Sequence, residues 1–234
     1  MSSRLEVDLA ATGARCQAGL DQAPYDPFEA LREFRVAVVR WPLKDAMEGA
    51  YTRRDGEAFT IVNSLTAYVR QRFTAAHELG HHILHGATSP RLIVDDNLDG
   101  EPASPLPEEK EAGWFATSFL MPTDEVREVA RRWPRAEHAI MGVVAEFQVS
   151  KEAAARRLVE LEVISEDDKM RAAKDRRTLD ARGQELNLAI PSFREEVGRK
   201  VLDARLHAWA AELLQAGVLT SGRALFELTP LATD

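Results

Sequence analysis

The stretch Phe73-Thr-Ala-Ala-His-Glu-Leu-Gly-His81 sets two histidines four residues apart, with a glutamate directly after the first. On a helix of 3.6 residues per turn, His77 and His81 lie about one turn apart and point the same way. This spacing offers two zinc ligands from one helix face. Glu78 is then placed to take a proton from a water that the metal brings to a pKa of about 7. Such a set suits hydrolysis of a peptide bond. The flanks support a helix: Ala75, Ala76, Leu79, Ile83 and Leu84 supply helix formers and an apolar stripe, and Thr74 reads as its N-cap. Gly80 is costly inside a helix, so its place there predicts close approach by another backbone.

Two histidines leave a catalytic zinc site one protein ligand short. The best source downstream is Glu108-Glu-Lys-Glu-Ala-Gly-Trp-Phe-Ala-Thr-Ser-Phe-Leu-Met-Pro122, a helix that starts after the Pro-rich stretch 102–107 and stops near Pro122. Glu109, Ala112, Gly113 and Ala116 share one face, small except for the carboxylate. That face can pack on Gly80 and present Glu109 to the metal. Glu109 is the candidate third ligand, with Glu108 and Glu111 as alternatives.

Arg72-Phe-Thr-Ala-Ala-His-Glu-Leu-Gly-His-His-Ile-Leu-His85, followed by Glu109-Lys-Glu-Ala-Gly-Trp-Phe-Ala-Thr-Ser-Phe-Leu-Met-Pro122, resembles the ImmA/IrrE family of zinc metallopeptidases. Both blocks, their order and their spacing match, and the resemblance covers roughly residues 25–165. It implies His77, His81 and Glu109 as metal ligands and Glu78 as the catalytic residue. The chain departs from the family at Gly113, where Asn is usual and can hydrogen-bond to the ligand shell. It also has Phe119 where Leu is usual, an apolar-for-apolar change. Among the other histidines, His85 drifts off the metal face and reads as structural or as lining the cleft. His82 points away from that face, and His138 and His207 have no partner motif.

Composition bounds the rest. At 45% apolar and 29% charged, the 234 residues form an ordinary globular chain with ample core. A single cysteine, Cys16, excludes an internal disulfide and fits a reducing compartment. No run approaches the roughly 18 apolar residues of a membrane span, and the start of the chain lacks an apolar signal segment, so a cytoplasmic location is expected. A net charge of −8 disfavours non-specific nucleic-acid binding.

The expected architecture is α+β: a zincin-like minimal metallopeptidase domain, with a small antiparallel sheet packed on the zinc helix, then two helical regions. Residues 1–24 read as a loose arm, 25–122 as the metallopeptidase core, 123–168 as a helix-turn-helix-like region and 169–234 as a C-terminal helical module. Within the core, 27–34 reads as a short helix, Arg35–Trp41 as a strand, and 51–54 with 58–63 as a hairpin around Asp55-Gly56. Strand 57–63 is the candidate edge for holding a substrate by strand addition. Residues 87–107 read as an irregular loop able to gate the cleft.

In 139–164 Ser150 is the expected cap of the second helix of the turn, with Gln148 where Gly is common. Four basic residues against five acidic ones in 135–164 make a poor footprint for DNA, so packing on the core explains this unit best. The run 169–182 is basic, six charges against two, and reads as a solvated helix or linker. Arg194 to Ala216 reads as a long amphipathic helix and 221–228 as a short one, suited to dimerising or docking a partner.

Two function classes follow. The first is a zinc metallo-endopeptidase acting on a cytoplasmic protein. The resemblance implies a helix-turn-helix transcriptional repressor as that substrate. Manganese also suits a His-His-carboxylate site. The second is a non-catalytic transcription regulator, or a toxin-antitoxin component, binding protein or DNA through 123–234. The intact Glu78 favours the first, because folding does not need it.

Overall fold

The computed structural model describes residues 2–43, 47–54, 57–86, 93–96, 106–174, 184, 186, 188 and 194–203. The chain begins with helix α1 (Arg4–Gln17), not a loose arm. Ser3 Oγ accepts from Glu6 N–H, and the Glu6 carboxylate accepts from Ser3 N–H at 2.6 Å, closing a capping box. Val7, Ala11, Ala14 and Ala18 recur at helical spacing and are buried. Their small size lets α1 lie along α4 (Pro107–Leu120). Arg15 is buried there and donates to the Ser118 and Phe119 carbonyls at 2.7 and 3.2 Å, satisfying acceptors that the end of α4 leaves open.

Helix α2 (Pro27–Glu33) is capped by Asp26 and leads into β1 (Val36–Trp41). Strands β2 (Met47–Arg54) and β3 (Glu57–Asn63) follow, and the Asp55-Gly56 turn between them lies outside the described residues. With β4 (Ile93–Asp96) and β5 (Val201–Leu202), the sheet order is β4-β2-β3-β1-β5. The sheet is mixed rather than antiparallel, because β1 runs parallel to β3. All six residues of β1 are buried, and a continuous apolar run is the mark of a strand covered on both faces. β3 is interior, paired with β1 on one side and β2 on the other, so it is not the free edge expected of 57–63. The outer side of β2 is paired with β4.

Helix α3 (Tyr68–His85) crosses this sheet. It begins about two turns before the expected cap: Ala67 is its N-cap, and Thr74 is a buried interior residue. The run Tyr68–Phe73 has no breaker, so nothing stops the helix from starting earlier. Gly80 has the expected role. A Cβ there would lie 3.1 Å from Ala112 Cα and 3.1 Å from Phe115 Cβ on α4. Gly80→Ala is therefore expected to lose about 1–2 kcal/mol despite its better helix propensity, because the obstructing atoms are backbone and core. Urea denaturation monitored by circular dichroism checks this, and an unchanged midpoint would contradict it.

Helices α5 (Thr123–Arg131), α6 (Ala136–Phe147), α7 (Lys151–Glu160) and α8 (Glu166–Lys174) complete the helical part. Gln148 takes the left-handed conformation (φ 52°) that ends α6, and Ser150 caps α7 by accepting from Ala153 N–H at 3.0 Å. This unit is fastened to the core. Buried Arg72 of α3 donates to the carbonyls of Tyr25 and Phe147 at 2.7 and 3.4 Å. Buried Arg157 of α7 donates to Met121 O at 3.2 Å and Thr123 Oγ1 at 3.0 Å.

The helix expected from Arg194 is not formed in the described part. A 3₁₀ turn covers Arg194–Glu196, Gly198 has φ +77°, and Val201–Leu202 pairs with β1. Arg40 of β1 anchors this segment, donating to Glu196 Oε2 at 2.8 Å and Gln71 Oε1 at 2.7 Å. Residues 204–234 lie outside the described set, and so does most of the 87–107 loop. Among the described residues, no helix is long and apolar enough to cross a membrane.

Candidate metal centre

His77 and His81 project from α3 toward the first turn of α4, where Glu109 meets both. His77 Nε2 lies 3.1 Å from Glu109 Oε2, His81 Nε2 lies 3.3 Å from Glu109 Oε1, and the two Nε2 atoms are 3.1 Å apart. Three ligand atoms on a tetrahedral ion with bonds of about 2.0–2.1 Å sit roughly 3.3–3.4 Å from one another. The triangle therefore fits one divalent cation. In the neutral tautomer protonated on Nδ1, each imidazole has an Nε2 lone pair to offer a cation. The donor set, two nitrogens and one carboxylate, suits zinc and also manganese.

The structure separates the three candidate carboxylates. Glu108 is exposed. Glu111 is buried on another face of α4, accepting from Ser2 N–H at 2.5 Å and lying 3.6 Å from His85 Nε2. Only Glu109 of the three reaches both imidazoles.

Electrostatics follow from burial and contact. Burial alone would raise the Glu109 carboxyl, but hydrogen bonds from His77 and His81 outweigh it and hold the group well below its usual range. Burial pushes His81 below its usual value, the form in which an imidazole can ligate. His81 Nδ1 has no hydrogen-bond partner among the described residues.

Glu78 is almost fully buried, at 1% exposure, between α3 and β2. Its neighbour is one that sequence reasoning missed. Gly49 on β2 is so close that a Cβ there would stand 2.8 Å from Glu78 Oε1 and clash with the Thr74 methyl. A glycine inside a strand is itself a signal of close approach. His82 does point away: its Nδ1 shares a hydrogen bond with the Tyr51 hydroxyl at 2.8 Å, and the ring packs edge-on to Phe34. Burial, opposed by Arg53 and aided by Glu78, holds that phenol at about 12, so it stays protonated at neutral pH. His85 sits one turn beyond His81, with ring centres 5.8 Å apart. Gly113 faces open space, so no side chain fills the place of the usual Asn.

A mixed sheet crossed by a helix bearing two histidines, with a carboxylate from the next helix, is the framework of a metallopeptidase domain. The chain belongs to peptidase family M78: the model of its IrrE N-terminal-like domain matches residues 31–159, more than half of the sequence. Among curated proteins there is no match.

Proposed function

We propose that this protein is a zinc-dependent metallo-endopeptidase of the cytoplasm, and that its substrate is a protein, in particular a helix-turn-helix transcriptional repressor. The observation that carries the reading is the convergence of His77, His81 and Glu109 within 3.1–3.3 Å, beside a buried Glu78. His77, His81 and Glu109 would hold the ion. Zinc held there would supply Lewis acidity toward the scissile carbonyl and the attacking water. Glu78 accepts the proton of the attacking water and passes it to the leaving amine. Burial keeps this carboxylate out of bulk water and fixes its direction. Family membership supports the repressor as substrate.

The test is to incubate the zinc-loaded protein with helix-turn-helix repressors of its host and to map products by mass spectrometry, with a chelator as control. A single chelator-sensitive cut supports the reading. An intact repressor in the presence of stoichiometric zinc would remove that substrate.

Gly49→Ala tests how Glu78 is placed. The added methyl must displace the Glu78 carboxylate or push β2 off α3. Misplacing a reacting group by about 1 Å costs on the order of 10²-fold in rate. The expected result is turnover lowered to that extent with zinc still bound stoichiometrically. Wild-type turnover in this variant would show that Glu78 need not sit where the structure has it.

A further inference from the structure

A cleft of about 180 Å³ opens between the first half of α3, the end of α4, and the α6–α7 turn with the start of α7. Its apolar walls are Val69, Phe73, Leu120, Met121, Val149 and Ala153. One wall reaches toward the metal centre: Phe73 lies one helical turn before His77, and the two ring centres are 6.4 Å apart. We propose that this cleft is the specificity pocket of the peptidase, taking one large apolar side chain of the substrate from a residue flanking the bond that is cut. The proposal rests on the peptidase reading above and names what that site selects.

Size points to a side chain. Small-molecule sites usually span roughly 300–1,000 Å³, so this cleft is small for a cofactor. A cavity of about 150 Å³ accepts a benzene ring. Reach agrees as well. An extended peptide advances about 3.3 Å per residue, so a cleft whose nearest wall, Phe73, stands one helical turn from a metal ligand is within reach of a residue flanking the reacting carbonyl.

Charge points to an apolar occupant. The rim carries Arg70, Glu152 and Arg156. Arg70 is already held by Glu48, its Nε donating at 2.6 Å, and its guanidinium lies over the Phe73 ring. Arg156 donates to Glu152 at 3.0 Å. These charges cancel in pairs, so the rim offers no net field to an acidic or basic side chain. Ser150, the remaining polar lining residue, spends its hydroxyl oxygen on the Ala153 N–H. What remains to bind a ligand is the apolar wall.

The experiment digests a proteome-derived peptide library with the zinc-loaded protein and reads the cut sites by mass spectrometry. Hydrophobic pockets discriminate by roughly 10–200-fold per altered contact. The expected result is at least a tenfold preference for a large apolar residue over Gly or Ala at one position flanking the cut. Val69→Trp and Ala153→Trp fill the cleft from opposite walls, at positions exposed enough to accept them. Each is expected to lower that preference at least tenfold with zinc content and circular dichroism unchanged. Cleavage with a flat preference, or a preference unchanged in both variants, overturns the pocket and leaves the peptidase reading standing. No cleavage by the wild type overturns the peptidase reading and the pocket with it.

Discussion

Glu78→Gln is expected to bind zinc as the wild type does and to lose roughly 10²–10⁴-fold in turnover, the usual worth of a positioned general base. The substitution keeps the shape of a side chain that is 1% exposed and wedged against Gly49, so the fold has no reason to change. It removes only the basicity. An amide cannot accept the proton of the attacking water. His77, His81 and Glu109, which form the metal triangle, are untouched. Zinc quantified on purified protein, beside cleavage kinetics for both forms, reads the two effects separately. Loss of zinc in this variant would mean that Glu78 is a ligand. Full turnover would mean that the base lies elsewhere.

The same reasoning explains which parts were legible in the sequence. The triangle was, because helical spacing alone puts His77 and His81 together, and the small face of α4 identified both its packing partner, Gly80, and the residue it presents, Glu109. Ser150 was legible as a cap for the same local reason. Features set by distant chain were not. The parallel pairing of β1 with β3 is invisible to alternation, because a strand buried on both faces has none. That pairing, with the β2–β3 hairpin, is also what makes 57–63 interior and useless as an edge.

The remaining corrections have local signals that were outweighed. Ser3 and Glu6 spell a capping box ahead of Val7, Ala11 and Ala14, but three small or medium residues make a weak stripe until α4 is there to receive them. Thr74 has the side chain of a cap just ahead of Ala75 and Ala76, but a cap residue inside an unbroken helical run does not end it. The helix begins at Tyr68 because α3 is held along its length by packing, which places Thr74 and Glu78 together under Gly49. The Arg194 segment shows apolar residues at helical spacing, yet Gly198 turns it and Arg40 captures Glu196, so sheet pairing prevails in its described part.

Glu109→Ala is expected to weaken zinc binding by well over 10²-fold, more than the 10–100-fold typical of a residue that merely supports a ligand. Two imidazoles remain in place, but a site left with two protein ligands loses the closed triangle and the only negative charge in it. Glu108→Ala removes an exposed carboxylate on the same turn and is expected to bind zinc as the wild type does. Competition against a chromogenic chelator measures both. Equal affinities in the two variants would refute the assignment of the third ligand. The metal-free protein gives a second readout. Glu109 is held below its ordinary value of 4.5 in the folded chain, because hydrogen bonds from the two histidines overcome its desolvation. A depressed carboxylate contributes stability that is present above its unfolded pKa and is lost as pH falls through the folded one. Metal-free wild type is therefore expected to be more stable than Glu109→Ala near neutral pH, with the gap closing in strong acid. A gap independent of pH would mean that the carboxylate acts there through its volume and not its charge.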